Sequence, residues 1–480
     1  MLLREIVKDF PTKEKFDGEI EINQVEFEPD KVKGNCLFIC LKQDFETAEE
    51  YIQKAISHGA KAVVTSLVGL EKLGAEAVCV DDIRMAFSVF CSNFYQNPEN
   101  KLKIIGVVGT NGKTSTCKIL QHILNSAGKR TAYIGTLGIH FENFNIEQEL
   151  TTPDPTLLFS TLNKLVELGA EYVTIEYSAH AIFYKKLSCI NFEALIFTNC
   201  TQDHLDFFKD FQSYENVKAF PFKTKACKNA IINVDDGLGL KLYLSQGGLS
   251  YGIENPSDVF AVNIKEISSG TSYVVNLFDK ILKVNCKLLG RFNVYNSLGA
   301  STCAKVLGVD EKVIASSLNS LEPISGRMEK VAEIFGASVY VDYAHTPDGL
   351  EKSLISARNV TKKNLYCVFG CGGNRDKEKR PIMGRIAGDI CDFVVITSDN
   401  PRFEDGMKII CDIERGVRES TRDYICIQSR EKAIIYALKN LEKGDTLLIA
   451  GKGSENYQDI LGVKHEFSDK RVVLDFIGND

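Results

Sequence analysis

LKIIGVVGTNGKTST (102–116) is the stretch that decides the fold class of this chain. It reads as a strand, a glycine-rich turn and a helix that opens at Gly112-Lys113-Thr114. In that helix Ile119, Leu120, Ile123, Leu124 and Ala127 share one apolar face, and Gly128 closes it. Backbone N–H groups at such a turn and the positive end of the helix cradle phosphates. Lys113 would neutralise phosphate charge, and the Thr114 hydroxyl can ligate Mg²⁺. Gly109, Thr110, Asn111, Gly112, Lys113, Thr114 and Ser115 are therefore the candidate nucleotide-binding residues. The spacing is not the full Walker pattern, because Val107 stands where the first glycine should be. A plain strand–helix turn would explain the glycines but not a Lys-Thr pair at the helix start.

On either side of this stretch, strand and helix patterns alternate. CLFICLK (36–42), KAVVTS (61–66) and AVCVDD (77–82) read as strands, with an amphipathic helix over 48–60 and another around RMAFSVFCSNFYQ (84–96). NPENK (97–101) reads as a polar linker. Beyond Ser325 the pattern becomes regular: ASVYVDYA, NLYCVFG, FVVITSDN, YICIQS and DTLLIAGKG are strands separated by helix-length segments. That predicts a mostly parallel, Rossmann-like sheet.

Composition narrows the function. A chain of 480 residues suggests about three domains. With 44% hydrophobic and 25% charged residues it is an ordinary globular protein, and a net charge of −7 gives no basic surface for nucleic acid. The 15 cysteines are scattered without paired zinc spacing and read as reduced core residues. No apolar run reaches about 18 residues and MLLREIVKDF lacks an export core, so no membrane span and a cytoplasmic location are expected.

Two further strand ends carry polar groups. EYVTIEYSAH (171–180) ends in Glu176, Ser178 and His180, and a carboxylate at the carboxyl end of a strand suits Mg²⁺. A solvent-facing edge carboxylate is the competing reading. FTNCTQDHLDFF (197–208) places Asp203, His204 and Asp206 just past another apolar strand.

In chain order the motifs are GTNGKT, TTPD (151–154), the Glu–Ser–His strand end, DHLD, GRFNVYN (290–296), GRME (326–329), DYAHTPDGLEK (342–352), FGCGGNRDKEKRPIMG (369–384), DNPR (399–402) and GKGSE (451–455). With these motifs the chain resembles the Mur ligases over nearly its whole length, above all the member that adds the third residue of the peptidoglycan stem peptide. The resemblance implies an α/β protein of three domains: a UDP-sugar domain over 1–100, a P-loop ATPase domain over 101–325 and a Rossmann-like amino-acid domain over 326–480. It implies an ATP-dependent, acyl-phosphate route to an amide. The acceptor would be UDP-N-acetylmuramoyl-L-alanyl-D-glutamate and the amine meso-diaminopimelate, handled by a monomer.

By the same resemblance Lys113, Glu176, His204 and Lys218 would be catalytic. Thr114, Glu176, His204 and a carbamylated Lys218 would organise Mg²⁺. Asn293, Arg327 and Asp342 would reach the ATP. Thr151, Thr152, Ser178 and Lys186 would meet the acceptor. Arg375, Asp399, Asn400, Pro401, Arg402, Gly451 and Glu455 would hold the amino acid.

The chain departs from the family pattern mainly in sugar-nucleotide positions. QVEF (24–27) and KQDFETAEEY (42–51) replace the N-terminal signatures, Leu150 precedes TTP, and Tyr184 and Lys186 stand where Gln and Arg are usual. Gln202 precedes DHLD, and Ser454 replaces the His of GKGHE. Two other readings stay open on sequence: a diverged ligase with a different acceptor, and a P-loop switch or scaffold without ligase chemistry.

Overall fold

Cys36, Leu37, Phe38 and Ile39 are all buried, and burial on both faces is what makes a short unbroken apolar run a strand. The computed structural model describes residues 1–67, 69, 74–421 and 423–478. Its strands form three main sheets and a hairpin, an α/β architecture. The chain divides into two units, Met1–Gly106 with Lys129–Leu195 and Phe220–Asn229, and Val107–Gly128 with Ile196–Ala219 and Ala230–Asp480.

In the first unit a parallel sheet runs in the order Gln24–Glu26, Cys36–Ile39, Ala60–Thr65, Glu76–Cys79. Helix Phe45–Ser57 buries Ala48, Ile52 and Ala55 against Phe38 and Val63. The expected linker at 97–101 is instead a packed 3₁₀ turn, Pro98–Lys101. Glu99 lies buried there and accepts a bond from Ser92 Oγ at 2.7 Å. Proline at the first position starts the turn, and a buried hydroxyl supplies the partner that a polar linker would have found in water. Further along, strand Tyr172–Glu176 pairs in parallel with Thr131–Gly135, which continues antiparallel into Gly138–Phe141.

The second unit holds the turn helix, Lys113–Ser126, packed against helix Arg291–Val306. Its other sheet is six-stranded, in the order Glu329–Ile334, Ala337–Asp342, Thr446–Ala450, Leu365–Phe369, Phe393–Ile396, Tyr424–Cys426. All neighbours are parallel except the first pair. Side chains alternate across it as a period of two requires. Cys367, Phe369, Leu448 and Ala450 join helices Pro347–Val360, Lys379–Ile390 and Gly406–Ser420 on one face. Val368, Leu447 and Ile449 join helices Arg430–Lys439 and Asp469–Gly478 on the other. The carboxyl ends of these strands carry Asp342, the GCGGNR loop, the SDNPR loop and GKGSE.

One ion pair fastens the last helix. Arg430 Nε and Nη2 each reach the Asp469 carboxylate at 2.7 Å, and neither side chain touches solvent. Asp469→Ala leaves a buried guanidinium without its counter-charge and is expected to cost about 3–5 kcal/mol. Asp475→Ala, which removes an exposed partner of Arg471, should leave stability unchanged. Denaturant titration of the two variants checks the contrast.

Candidate active site

The nucleotide turn is held from below by a strand end that sequence reading had quoted only for its DHLD. Asn199 accepts the Thr110 N–H on its carbonyl and the Asn111 N–H on Oδ1, both at 2.9 Å. Thr198 Oγ1 donates to the Asn111 carbonyl at 2.7 Å. Gly112 has a φ of +86°, and a Cβ there would lie 2.4 Å from Asn296 Oδ1, so the turn needs glycine. Lys113 Nζ folds over the loop onto the carbonyls of Gly109 and Thr110, at 2.9 and 2.8 Å. Thr114 and Ser115 lie buried in the first helical turn. Asn111 Nδ2 bonds Asp348 Oδ2 at 2.8 Å.

Thr110 is the hub of a second group. Its hydroxyl donates to the Thr201 carbonyl at 3.0 Å, accepts from Lys218 Nζ at 2.7 Å and lies 3.3 Å from Tyr214 Oη. Lys218, which is 1% exposed, also sits 4.4 Å from the Tyr214 ring centre. Burial lowers its pKa to about 7, and the Lys113 charge pushes the same way. His204, at φ +54°, caps the short helix Leu205–Phe208 and reaches Asp203 at 3.3 Å. Burial alone would raise the Asp203 pKa, but the charges of His204, His345 and Lys379 hold it below the usual carboxylate range. Burial and the Lys379 charge lower the pKa of His345, whose Nδ1 is bonded to the Tyr343 carbonyl at 2.7 Å.

Arg327 Nη2 donates to Thr114 Oγ1 at 3.1 Å while its guanidinium lies over Tyr343 at 4.3 Å. Asp342 takes the Met328 N–H and the Ser353 hydroxyl, at 2.9 and 2.6 Å. Asn293 is buried between the Leu289 carbonyl and Asn296, so it ties its helix to the nucleotide turn through Asn296.

The acceptor candidates gather within the first unit. Glu176 is buried, not a solvent-facing edge group, and it accepts from Tyr133 Oη at 2.6 Å, Thr136 N at 2.9 Å and Thr136 Oγ1 at 3.2 Å. Thr136 Oγ1 in turn lies 3.1 Å from Thr151 Oγ1. Thr152 Oγ1 donates to the Glu176 carbonyl at 2.6 Å, lies 3.0 Å from Ser178 Oγ, and its own carbonyl accepts from Lys186 Nζ at 3.2 Å. Lys186 also pairs with Asp154 at 2.8 Å. Tyr184 lies under the Arg84 guanidinium at 4.0 Å.

The amino-acid candidates gather at the strand ends of the six-stranded sheet. Asn400 is engaged at both ends of its amide: Oδ1 accepts from Lys452 Nζ at 3.0 Å and Asp459 N at 2.9 Å, and Nδ2 donates to Glu455 Oε2 at 3.0 Å. Lys452, fully buried, also pairs with Glu455 at 2.9 Å. Burial opposes ionisation of Asp399, yet Lys452 and Arg430 keep its pKa lowered. Its Oδ2 lies 2.8 Å from where a Cβ on Gly451 would be. Arg402 has a φ of +50°, follows Pro401, and donates from Nη1 to the Gly373 carbonyl at 2.8 Å, with Asp459 3.9 Å away. Arg375 is exposed in the facing loop. Lys452, Arg430 and Asp469 were missed in sequence reading. Only Lys452 had a signal, as the one charge inside an apolar strand end next to GSE.

The donor set suits a nucleotide with a hard cation. Mg²⁺ takes few protein ligands beside phosphate and water. The Thr114 hydroxyl is an oxygen donor of that kind, and the turn offers N–H groups and two cations, Lys113 and Arg327, for phosphate.

The chain matches the model of the Mur ligase middle domain over residues 107–304, and that of the Mur ligase glutamate ligase domain over 326–453. It is 39% identical over 466 residues to a UDP-N-acetylmuramoyl-L-alanyl-D-glutamate–2,6-diaminopimelate ligase of Clostridium acetobutylicum, covering 96% of both chains. A solved structure of a ligase with the same description aligns with a TM-score of 0.70 at 28% identity, covering 100% of this chain and 99% of that one. MurF from Acinetobacter baumannii shares the fold at a TM-score of 0.68 and 16% identity, covering 99% and 98%. With the P-loop, the DNPR and GKGSE ends and this near-full-length identity together, the chain belongs to the Mur ligase family, on its MurE branch.

Proposed function

We propose that this chain joins meso-diaminopimelate to the D-glutamyl carboxylate of UDP-N-acetylmuramoyl-L-alanyl-D-glutamate, converting ATP to ADP and phosphate. The observation that carries the reading is the strand-end network of Asp399, Asn400, Arg402, Lys452 and Glu455, which a nucleotide switch would not need. Residues 1–100 would take the UDP-sugar, 101–325 the ATP and 326–480 the amino acid.

In this reaction the acceptor carboxylate attacks the γ-phosphorus and ADP leaves. The amine then attacks the acyl carbon, loses a proton and expels phosphate. Lys113 and Arg327 neutralise charge on the transferring group. Thr114, Glu176 and His204 would hold Mg²⁺, which supplies further charge neutralisation when bound. Asn293 and Asp342 would act at the nucleotide by orienting the elements that carry it. Thr151, Thr152, Ser178 and Lys186 would bind the acceptor. Asp399, Asn400, Pro401, Gly451 and Glu455 would fix the amine side of the amino acid, and Arg375 and Arg402 its far carboxylate.

Lys218 would act as a carbamate. Carbamylation consumes a neutral amine, and a pKa near 7 leaves a large share of this lysine neutral where an ordinary one is charged. The product is an anion beside Lys113 instead of a second cation.

Phosphate release with ATP, the UDP-muramoyl dipeptide and a panel of amino acids tests the function. All three components should be required. Release without an amine would mean a switch, and release only with another acceptor would mean a diverged ligase.

Lys218→Ala should abolish turnover, with partial rescue by short carboxylates, and wild-type turnover should fall as pH drops through about 7 because the amine protonates. Added bicarbonate should move that limb to lower pH. Full activity in the variant removes the carbamate from the mechanism.

A guanidinium grips a carboxylate bidentately but repels the ammonium that lysine carries at its far end. Strong preference for meso-diaminopimelate over lysine is therefore expected. Arg402→Ala should raise the diaminopimelate KM by about 30-fold or more, as loss of a desolvated charged pair does, with the ATP KM unchanged. Equal use of lysine by the wild type rules out the arginine grip.

A further inference from the structure

Arg380 and Glu404 form an ion pair that none of the roles above uses. Arg380 stands in the first turn of helix Lys379–Ile390 and is 1% exposed. Its Nη2 and Nη1 reach the two oxygens of Glu404 at 3.0 and 3.1 Å, a forked pair, and Nη1 also reaches Asp412 at 3.0 Å. Arg380 beside it holds the Glu404 carboxyl down to about 2, so the pair stays ionised at any working pH.

Glu404 does more than balance charge. Its Oε1 also accepts the backbone N–H of Asn374 at 2.5 Å. Asn374 Oδ1 accepts the Phe403 N–H at 3.0 Å, and Gly373 N donates to the Asn400 carbonyl at 2.9 Å. Arg402 Nη1 bonds the Gly373 carbonyl at 2.8 Å. The loop bearing Arg375 is thus stitched to the loop bearing Arg402. Arg402 holds a φ of +50°, which a long side chain keeps only when its surroundings over-determine it, while Asn374, at +52°, is of a type that adopts this region readily. There is no slack either, because a Cβ on Gly373 would fall 1.9 Å from the Pro401 carbonyl oxygen.

We infer that Arg380 and Glu404 are positioning residues that set the separation of Arg375 and Arg402, and through it the selection of an amino acid with a second carboxylate. The inference rests on the proposed amine substrate. Two guanidinium groups recognise one carboxylate only within a fraction of an ångström, and side chains on loops keep such tolerance only when a supporting layer locks them. A pair that merely filled space could be exchanged for apolar side chains of similar volume. A leucine at 404 cannot accept the Asn374 N–H.

The test compares wild type, Glu404→Gln and the double variant Arg380→Met/Glu404→Leu by steady-state kinetics and thermal melting. Expected are a diaminopimelate KM raised by about 5-fold in the first variant and about 30-fold in the second, with kcat and the KM values for ATP and acceptor within about 2-fold. Discrimination against lysine should shrink in step. A double variant that melts like wild type and keeps the wild-type diaminopimelate KM overturns the inference, as does a parallel rise in all three KM values. Should the double variant fail to fold, unchanged selectivity in Glu404→Gln overturns it alone. Wild-type phosphate release with diaminopimelate reads the substrate separately. If that is absent, amide exchange at Asn374 and Phe403 decides the positioning: quickening in Glu404→Gln supports it, and unaltered protection overturns it.

Discussion

Keeping Arg430 out of water is the requirement around which the strand ends of the six-stranded sheet are arranged. A guanidinium with no solvent contact must find partners for its N–H groups within the fold. Here they are the Asp469 carboxylate and the carbonyls of Ala450 and Ser398. Those two carbonyls sit at the end of strand Thr446–Ala450 and just past strand Phe393–Ile396, which flank Leu365–Phe369, so satisfying the arginine fixes where GKGSE and DNPR begin. Lys452, also fully buried, repeats the pattern with Asn400 and Glu455 as its partners. The loops at these strand ends inherit their positions from buried charges.

At the nucleotide turn the same logic applies with smaller groups. Thr110 offers a single hydroxyl to Thr201, Lys218 and Tyr214, and Asn199 holds two successive backbone N–H groups. Few polar atoms are left to wander, which suits a site that must stabilise developing charge without rearranging. Burial of Lys218 lowers its pKa to about 7, since the loss of hydration disfavours the charged form.

The network around Glu176 in the first unit differs in character. Glu176, Thr136, Thr151, Thr152, Ser178 and Lys186 form one hydrogen-bonded chain, but Lys186 is already paired with Asp154, and Tyr184 is covered by Arg84. These are positions where the chain departs from its family, and the departures come with local partners of their own. Membership of the family is carried by the nucleotide and amino-acid ends and by identity along the chain.

Patterns confined to one segment could be read directly. The turn after Val108 needs glycine at positive φ, the helix behind it shows its apolar face by spacing, and the strands beyond Ser325 stand out as apolar runs between helix-length segments, so the α/β class and the mostly parallel last sheet follow from the residues alone. NPENK was misread because its composition is that of a linker, while its fate turned on Ser92 reaching Glu99. Glu404, Arg430 and Asp469 carried no signal at all, and Arg380 none beyond its place in FGCGGNRDKEKRPIMG. Each reads as an ordinary surface charge on a helix or loop, and its partner lies 24 or 39 positions away. The sequence by itself determined which elements form and which motifs end up at strand ends, because those depend on spacing within a few residues. Only the tertiary structure decided which charges are buried and which loops they lock, because a buried charge is defined by a partner that the chain brings in from elsewhere.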